Sequence, residues 1–245
     1  MNRSVLITGA SGGIGVALCR EFAKNGYDVA IHYNSSEESA LNLKVELESQ
    51  YRVKAVPIKA DLKNSDDVKV LAQTALDTFG KIDVLVNNAG IAYMTVFQCA
   101  DEGKIKELFD INLMSAISLT KELLPSMIRN QWGRIINISS MWGIAGASCE
   151  VHYSTTKSAL IGFTKALAKE VGPSGITVNC IAPGYIDTKM NSSIDENSAN
   201  EIVEATPVGR KGSPEDVSPL AVFICDDKAE FITGQVISVD GGYGI

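Results

Sequence analysis

The 245-residue sequence predicts a single α/β domain built on a doubly wound parallel sheet. Three observations lead there. Short apolar runs alternate with longer amphipathic segments along the chain, the strand–helix repetition that implies right-handed βαβ crossovers. The runs are rich in Val and Ile and mostly lack polar alternation, as strands covered on both faces do. No linker or compositional break divides the chain, so one domain over 1–245 is expected, a size one core can hold.

The elements follow in order. "SVLIT" (4–8) reads as the first strand; it ends in a glycine turn and a helical pattern at 13–25. "DVAIHY" (28–33) precedes a helix at 37–50, and "VKAVPI" (53–58) one at 65–79. "IDVLVN" (82–87) is followed by an uninterrupted helical pattern over 102–129. "GRIINIS" (133–139) leads to a helix at 152–170, and "ITVNCIA" (176–182) to a polar segment without a strand at 187–213. A helix at 215–225 and the strand "QVISV" (235–239) complete the chain. Because 187–213 follows a strand end, it is expected to be an active-site lid.

Composition narrows the function. The net charge is −7 with no basic block, which argues against nucleic acid as a partner. Five scattered cysteines without a C-x-x-C argue against zinc and a disulfide framework, so no metal is expected. The opening "MNRSVLITGA" carries too short an apolar run for a leader or a membrane span, which makes a reducing cytoplasm the expected setting.

"TGASGGIG" (8–15) sits between the first strand and the first helix. Gly9, Gly13 and Gly15, with Ser11, Gly12 and Ile14 between them, let the backbone turn sharply and approach a pyrophosphate, and the helix N-terminus offers free N–H groups. A carboxylate at the end of the second strand would repel a 2′-phosphate. Tyr33 and Asn34 stand there instead, followed by Ser35 and Ser36 as hydrogen-bond donors, so NADP(H) is the expected cofactor. Asp61, with Leu62 beside it after the third strand, is placed either to accept from the adenine amino group or to cap a turn.

Tyr153 and Lys157 are four apart in a helical pattern and share one face. A tyrosine pKa near 10 is too high for acid–base work at neutral pH, and an adjacent ammonium is expected to lower it. Ser140 ends the fifth strand at the carboxyl edge, where its hydroxyl is placed to hold a substrate carbonyl. Asn112, inside an otherwise apolar helical pattern, reads as a buried polar residue tied to a neighbouring carbonyl, a position compatible with a catalytic role. Cys149 and His152 suggest a thiol nucleophile with its base, but no carboxylate is placed to orient the histidine. Cys149 and Glu150 are therefore read as pocket lining. Glu150 is either a carboxylate that meets a cationic substrate or a helix-start residue favoured by the dipole.

"TGASGGIG", "NNAG" (87–90), Asn112, Ser140, "YSTTK" (153–157), "PGYIDT" (183–188) and "ITGQVISVDGG" (232–242) together resemble the short-chain dehydrogenase/reductase family. The resemblance implies a single Rossmann domain with a seven-stranded parallel sheet, an NADP-dependent oxidoreductase acting on ketones or alcohols, and a homotetramer. It implies that Tyr153 donates a proton to the carbonyl oxygen, that Lys157 lowers its pKa and holds the nicotinamide ribose, and that Ser140 orients the carbonyl. Asn112 would hold a water in the proton relay. Asn88, Ala89 and Gly90 would line the adenosine ribose and phosphate region, and Pro183, Gly184, Ile186 and Thr188 would bracket the nicotinamide. "GRIINISS", "ALIGFTKALAKE" and "VDGG" are most similar to 3-oxoacyl-[acyl-carrier-protein] reductases. "WGIAGASCEVHYS" instead resembles reductases of a 5-aminopentanone group carried on elongation factor P. Where the acyl-carrier reductases tend to place basic residues for an acidic carrier, this chain has Gln131 and Ser174, with Arg129 and Arg134 close by. A free small-molecule ketone is the third substrate class. A non-catalytic NADP(H) sensor is a reading of a different kind, which the four filled catalytic positions disfavour.

Overall fold

The computed structural model describes residues 2–192 and 194–244; Met1, Ser193 (inside the expected lid) and Ile245 lie outside the described residues. Seven strands form one parallel sheet: β1 (Ser4–Ile7), β2 (Asp28–Tyr33), β3 (Ala55–Lys59), β4 (Val84–Asn87), β5 (Gly133–Ile138), β6 (Ile176–Pro183) and β7 (Val236–Val239). Their order is β3-β2-β1-β4-β5-β6-β7. The order reverses between β1 and β4, and at such a switch point the carboxyl ends of the strands leave a crevice for a ligand. The sheet expected from the sequence is thus present, with strand limits moved by at most two residues.

Helices cover both faces because the strands are apolar on both. On one side α1 (Gly13–Lys24), α2 (Glu37–Tyr51) and α9 (Pro214–Phe223) pack on Val5, Ile7, Val29, Ile31 and Val86. On the other, α3 (Ser65–Phe79), α5 (Ser115–Asn130) and α7 (Val151–Val171) pack on Leu6, Ala30, Leu85, Ile135 and Val178. The register of β1 against β4, Leu6 opposite Leu85, keeps alternate side chains on opposite faces.

Three elements differ from expectation. The helical pattern at 102–129 is broken into α4 (Glu102–Phe109), a wide π turn (Asp110–Met114) and α5. A short helix, α6 (Met141–Ala145), follows β5. The polar segment at 187–213 contains a 3-10 turn (Lys189–Asn191) and α8 (Glu196–Glu204), started by Asp195, whose side chain accepts from the Ser198 N–H. Among the described residues no helix is long and apolar enough to cross a membrane, and no group of three His, Cys, Asp or Glu is placed to hold a metal ion.

Candidate active site

A cavity of about 460 Å³ opens at the carboxyl edge of the sheet, around the switch point. Its first wall is the glycine turn. Gly9 has φ +62°, and a Cβ there would stand 2.9 Å from the Ala89 Cα; a Cβ on Gly15 would stand 2.2 Å from the Gly9 carbonyl oxygen. Glycine is therefore required at both places. Gly15 serves this close packing and does not line the cavity, whereas Gly9, Ser11, Gly12, Gly13 and Ile14 do. No side chain caps α1, and a Cβ on Gly12 would meet nothing within 4 Å. An uncapped helix start with free N–H groups over open space fits the pyrophosphate of a dinucleotide.

The turn is held from β4. The Thr8 hydroxyl accepts from the N–H groups of Asn88 (2.9 Å) and Ala89 (3.0 Å), and Asn88 Nδ2 donates to the Thr8 carbonyl at 2.8 Å. Asn88, Ala89 and Gly90 line the cavity next to it. Thr8 was not singled out in the sequence; its position at the strand end before the first glycine was the available signal.

The residues expected at the adenosine end lie outside this cavity. Tyr33 is buried, while Asn34 and Ser35 are exposed beyond the end of β2. Lys59 is the register partner of Tyr33 and is exposed, a cation at this edge that the sequence reading did not place there. Asp61 is engaged in its own turn: its carboxylate accepts from the Lys63 N–H at 3.1 Å. Leu62 is buried in the core beside α3.

The second wall carries the reactive groups. Ser140 caps α6 by accepting from the Trp142 N–H at 3.1 Å, and its hydroxyl stands beside that of Tyr153. Tyr153 and Lys157 project from α7, and both are buried. Lys157 Nζ donates to the Ile138 carbonyl at 2.8 Å and lies 5.7 Å from the Tyr153 ring centroid. The expected lowering of the tyrosine pKa is not found. Burial pushes the phenol up to about 12, opposed in part by the neighbouring Ser140 hydroxyl, and burial pushes the Lys157 ammonium down to about 8. Desolvation of each charged form outweighs what the ammonium, occupied by a carbonyl, gives the phenol.

Asn112 lies behind this wall, at 1% exposure in the π turn. Its Oδ1 accepts from the Ile91 N–H (2.8 Å), and its Nδ2 donates to the Ile91 carbonyl (2.9 Å) and to Thr156 Oγ1 (3.3 Å). The tie to a neighbouring carbonyl is as expected. Thr156, which donates to the Tyr153 carbonyl at 2.8 Å, joins it to the helix of Tyr153 and was not foreseen.

Pro183, Gly184, Ile186 and Thr188 form the next part of the lining, after β6. The segment that follows is clasped at its base, since the Asp187 N–H donates to Gly212 O (2.8 Å) and the Gly212 N–H to Tyr185 O (2.9 Å). From it Met190, Ile194 and Ile202 add apolar surface to the cavity.

Glu150 also lines the cavity; it stands at the start of α7 without a side-chain cap bond, and burial raises its carboxyl pKa. Cys149 does not line it: φ is +61°, and its carbonyl accepts from the Thr95 N–H at 2.7 Å. His152 stacks on Phe97 with centroids 5.2 Å apart. No thiol–imidazole pair forms. Arg134, close in sequence to the expected carrier-binding places, lies elsewhere in the fold. At 2% exposure it donates to the Gly133 and Gly175 carbonyls at the amino edge of the sheet, so it cannot receive a carrier protein. Arg129, in the last turn of α5 just before β5, is exposed at that same edge, away from the cavity.

A family model described as short chain dehydrogenase matches residues 3–199. An uncharacterized oxidoreductase, YmfI, of Bacillus subtilis (strain 168) is 40% identical over 243 residues, 99% of each chain. The 3-oxoacyl-[acyl-carrier-protein] reductase FabG of Chlamydia muridarum is 38% identical, covering 99% of this chain and 97% of its own. FabG of Aquifex aeolicus is 39% identical, covering 97% and 95%. A blue fluorescent protein from a metagenomic library, solved in complex with NADPH, superimposes with a TM-score of 0.93 at 33% identity over 99% of this chain and 98% of that one.

Proposed function

The chain belongs to the short-chain dehydrogenase family, and from that premise we propose that it is an NADP(H)-dependent ketoreductase of the 3-oxoacyl-[acyl-carrier-protein] reductase type. One observation carries the reading: the uncapped start of α1 and the Ser140–Tyr153–Lys157 group face a single cavity. NADPH, held by the glycine turn, residues 88–90 and residues 183–188, supplies a hydride when bound. The rest is done by the chain. The Ser140 hydroxyl donates a hydrogen bond to the ketone oxygen and orients it. Tyr153, kept a neutral phenol by its burial, gives its proton to that oxygen. The Lys157 ammonium stabilises the phenolate as it forms. Asn112 holds Ile91 and Thr156 in place behind the site. Residues 187–213 form a lid whose apolar side chains exclude water. The exposed side chains of Phe97, Phe223 and Phe231 supply apolar surface for a homotetramer, and a cytoplasmic setting suits the odd, scattered cysteines.

The test is an assay of NADPH consumption with an acetoacetyl thioester on an acyl-carrier arm. Stoichiometric reduction to the hydroxyacyl product is expected. Protein that binds NADPH but reduces neither this ketone nor a broad ketone panel would instead be a sensor.

Glu150 favours a second reading, a cationic aminoketone such as the 5-aminopentanone group on elongation factor P. Its half-buried carboxylate faces the cavity, and no ion pair involves it among the described residues. Glu150→Gln is expected to lower the rate on an aminoketone, relative to a neutral β-ketoester, by about tenfold. An unchanged ratio removes this reading and leaves the first.

A further inference from the structure

The glycine turn is tied to a side chain that none of the motifs contains. His32, on β2 and 3% exposed, lies under the turn. Its Nδ1 accepts from the Gly9 N–H at 2.9 Å, and its Nε2 lies 3.2 Å from the Ala60 carbonyl. Its own carbonyl accepts from the Ala10 N–H at 2.9 Å. These contacts fix the tautomer: a ring nitrogen that accepts cannot carry the proton, so the proton is on Nε2 and points at Ala60.

The amides of the turn can then be accounted for one by one. Gly9 and Ala10 donate to His32, and Gly15 donates to the Gly12 carbonyl. Ser11, Gly12, Gly13 and Ile14 have no partner for their N–H groups within the fold among the described residues, and all four line the cavity. We propose that His32 is a positioning residue of the nucleotide site. By taking the Gly9 N–H inward and anchoring to the end of β3, it sets the turn so that the Ser11 and Gly12 amides face the phosphates. It also joins the glycine turn to the β3 end, the two sides between which the adenosine half is expected to lie. Burial pushes the imidazole pKa down to about 4, so the ring stays neutral and able to accept at working pH. A protonated ring would set one N–H against another.

The inference rests on the glycine turn being the NADP(H) site, and the test separates the two. NADPH dissociation constants are measured by fluorescence titration for wild type, His32→Asn and His32→Gln, with melting temperatures alongside. The Asn oxygen stands roughly where Nδ1 does and keeps an acceptor for Gly9. The Gln amide stands roughly where Nε2 does and keeps only the donor to Ala60. His32→Gln is expected to weaken NADPH binding by about tenfold or more, the cost of an orphaned buried amide, while His32→Asn stays within about threefold. In steady state the KM for NADPH should rise with little change in the KM for the ketone. Equal weakening in both variants would make His32 a general packing residue, and no weakening in His32→Gln would remove it from the site; either overturns the inference. Failure of the wild type to bind NADPH would overturn the site assignment itself, and the inference with it.

Discussion

At Tyr153 and Lys157 one cause, burial, acts on two groups in opposite directions. The phenol is pushed up to about 12 and the ammonium down to about 8, because each loses the solvation of its charged form. This suits ketone reduction, which needs a tyrosine that still holds its proton; alcohol oxidation would need the phenolate. It also predicts a pH profile. The tyrosine keeps its proton throughout the neutral range, so the reductive rate is governed by the lysine. Below about 8 the ammonium is charged and supports the forming phenolate. As pH rises through about 8 the charge is lost, and kcat/KM for ketone reduction should fall toward a tenfold decrease per unit. A rate that climbs above that pH, as an enzyme requiring tyrosinate would show, would contradict the assignment. That Tyr153 and Lys157 share one face was legible in their spacing of four; the roles expected of them came with the resemblance to the family. Their charge states were not legible, because desolvation is a property of the packed site.

At the level of elements, regular periods were read well and their interruptions were not. The pattern at 102–129 keeps apolar residues at helical spacing on both sides of the π turn, so a locally widened turn leaves the periodicity almost intact. Its mark in the sequence was Asn112, a poor helix former at a position that proves 1% exposed. The helix α8 was hidden for the opposite reason: Ala199 is its only buried residue, and the polar composition concealed the Asp195 cap. Asn112 yields a prediction at this scale. If it served only to hold a water, Asn112→Ala would lower activity and leave stability alone. Here its side chain satisfies both the N–H and the carbonyl of Ile91. Asn112→Ala should therefore cost about 2 kcal/mol in denaturant unfolding, as well as weaken activity, because these groups lose their partners. A loss below about 0.5 kcal/mol would show that water has replaced the amide without penalty.

For the whole molecule, the topology explains why distant motifs meet. Strand order β3-β2-β1-β4-β5-β6-β7 brings the ends of β1 and β4 together at the switch point, with β5 and β6 beside them. The glycine turn, residues 88–90, Ser140 and Pro183 are thereby gathered at one edge. The opposite edge is closed by a different set. Arg3 and Arg134 lie 4.0 and 4.2 Å from the Trp132 ring centroid, and Asp227 bonds to Arg3 (2.9 Å) and to Trp132 Nε1 (3.1 Å). The nearness of Arg134 in sequence to the expected carrier-binding places did not show which edge of the sheet it occupies. The same limit applied to Cys149, read as pocket lining, which turn geometry takes out of the cavity. The central claim is that this single cavity reduces ketones with Tyr153 as the acid. It is tested most directly by single-turnover reduction of an acetoacetyl thioester by Tyr153→Phe loaded with saturating NADPH. Loss of at least about 10²-fold in rate with NADPH affinity unchanged is the predicted result, and a near-normal rate in the loaded variant would contradict it.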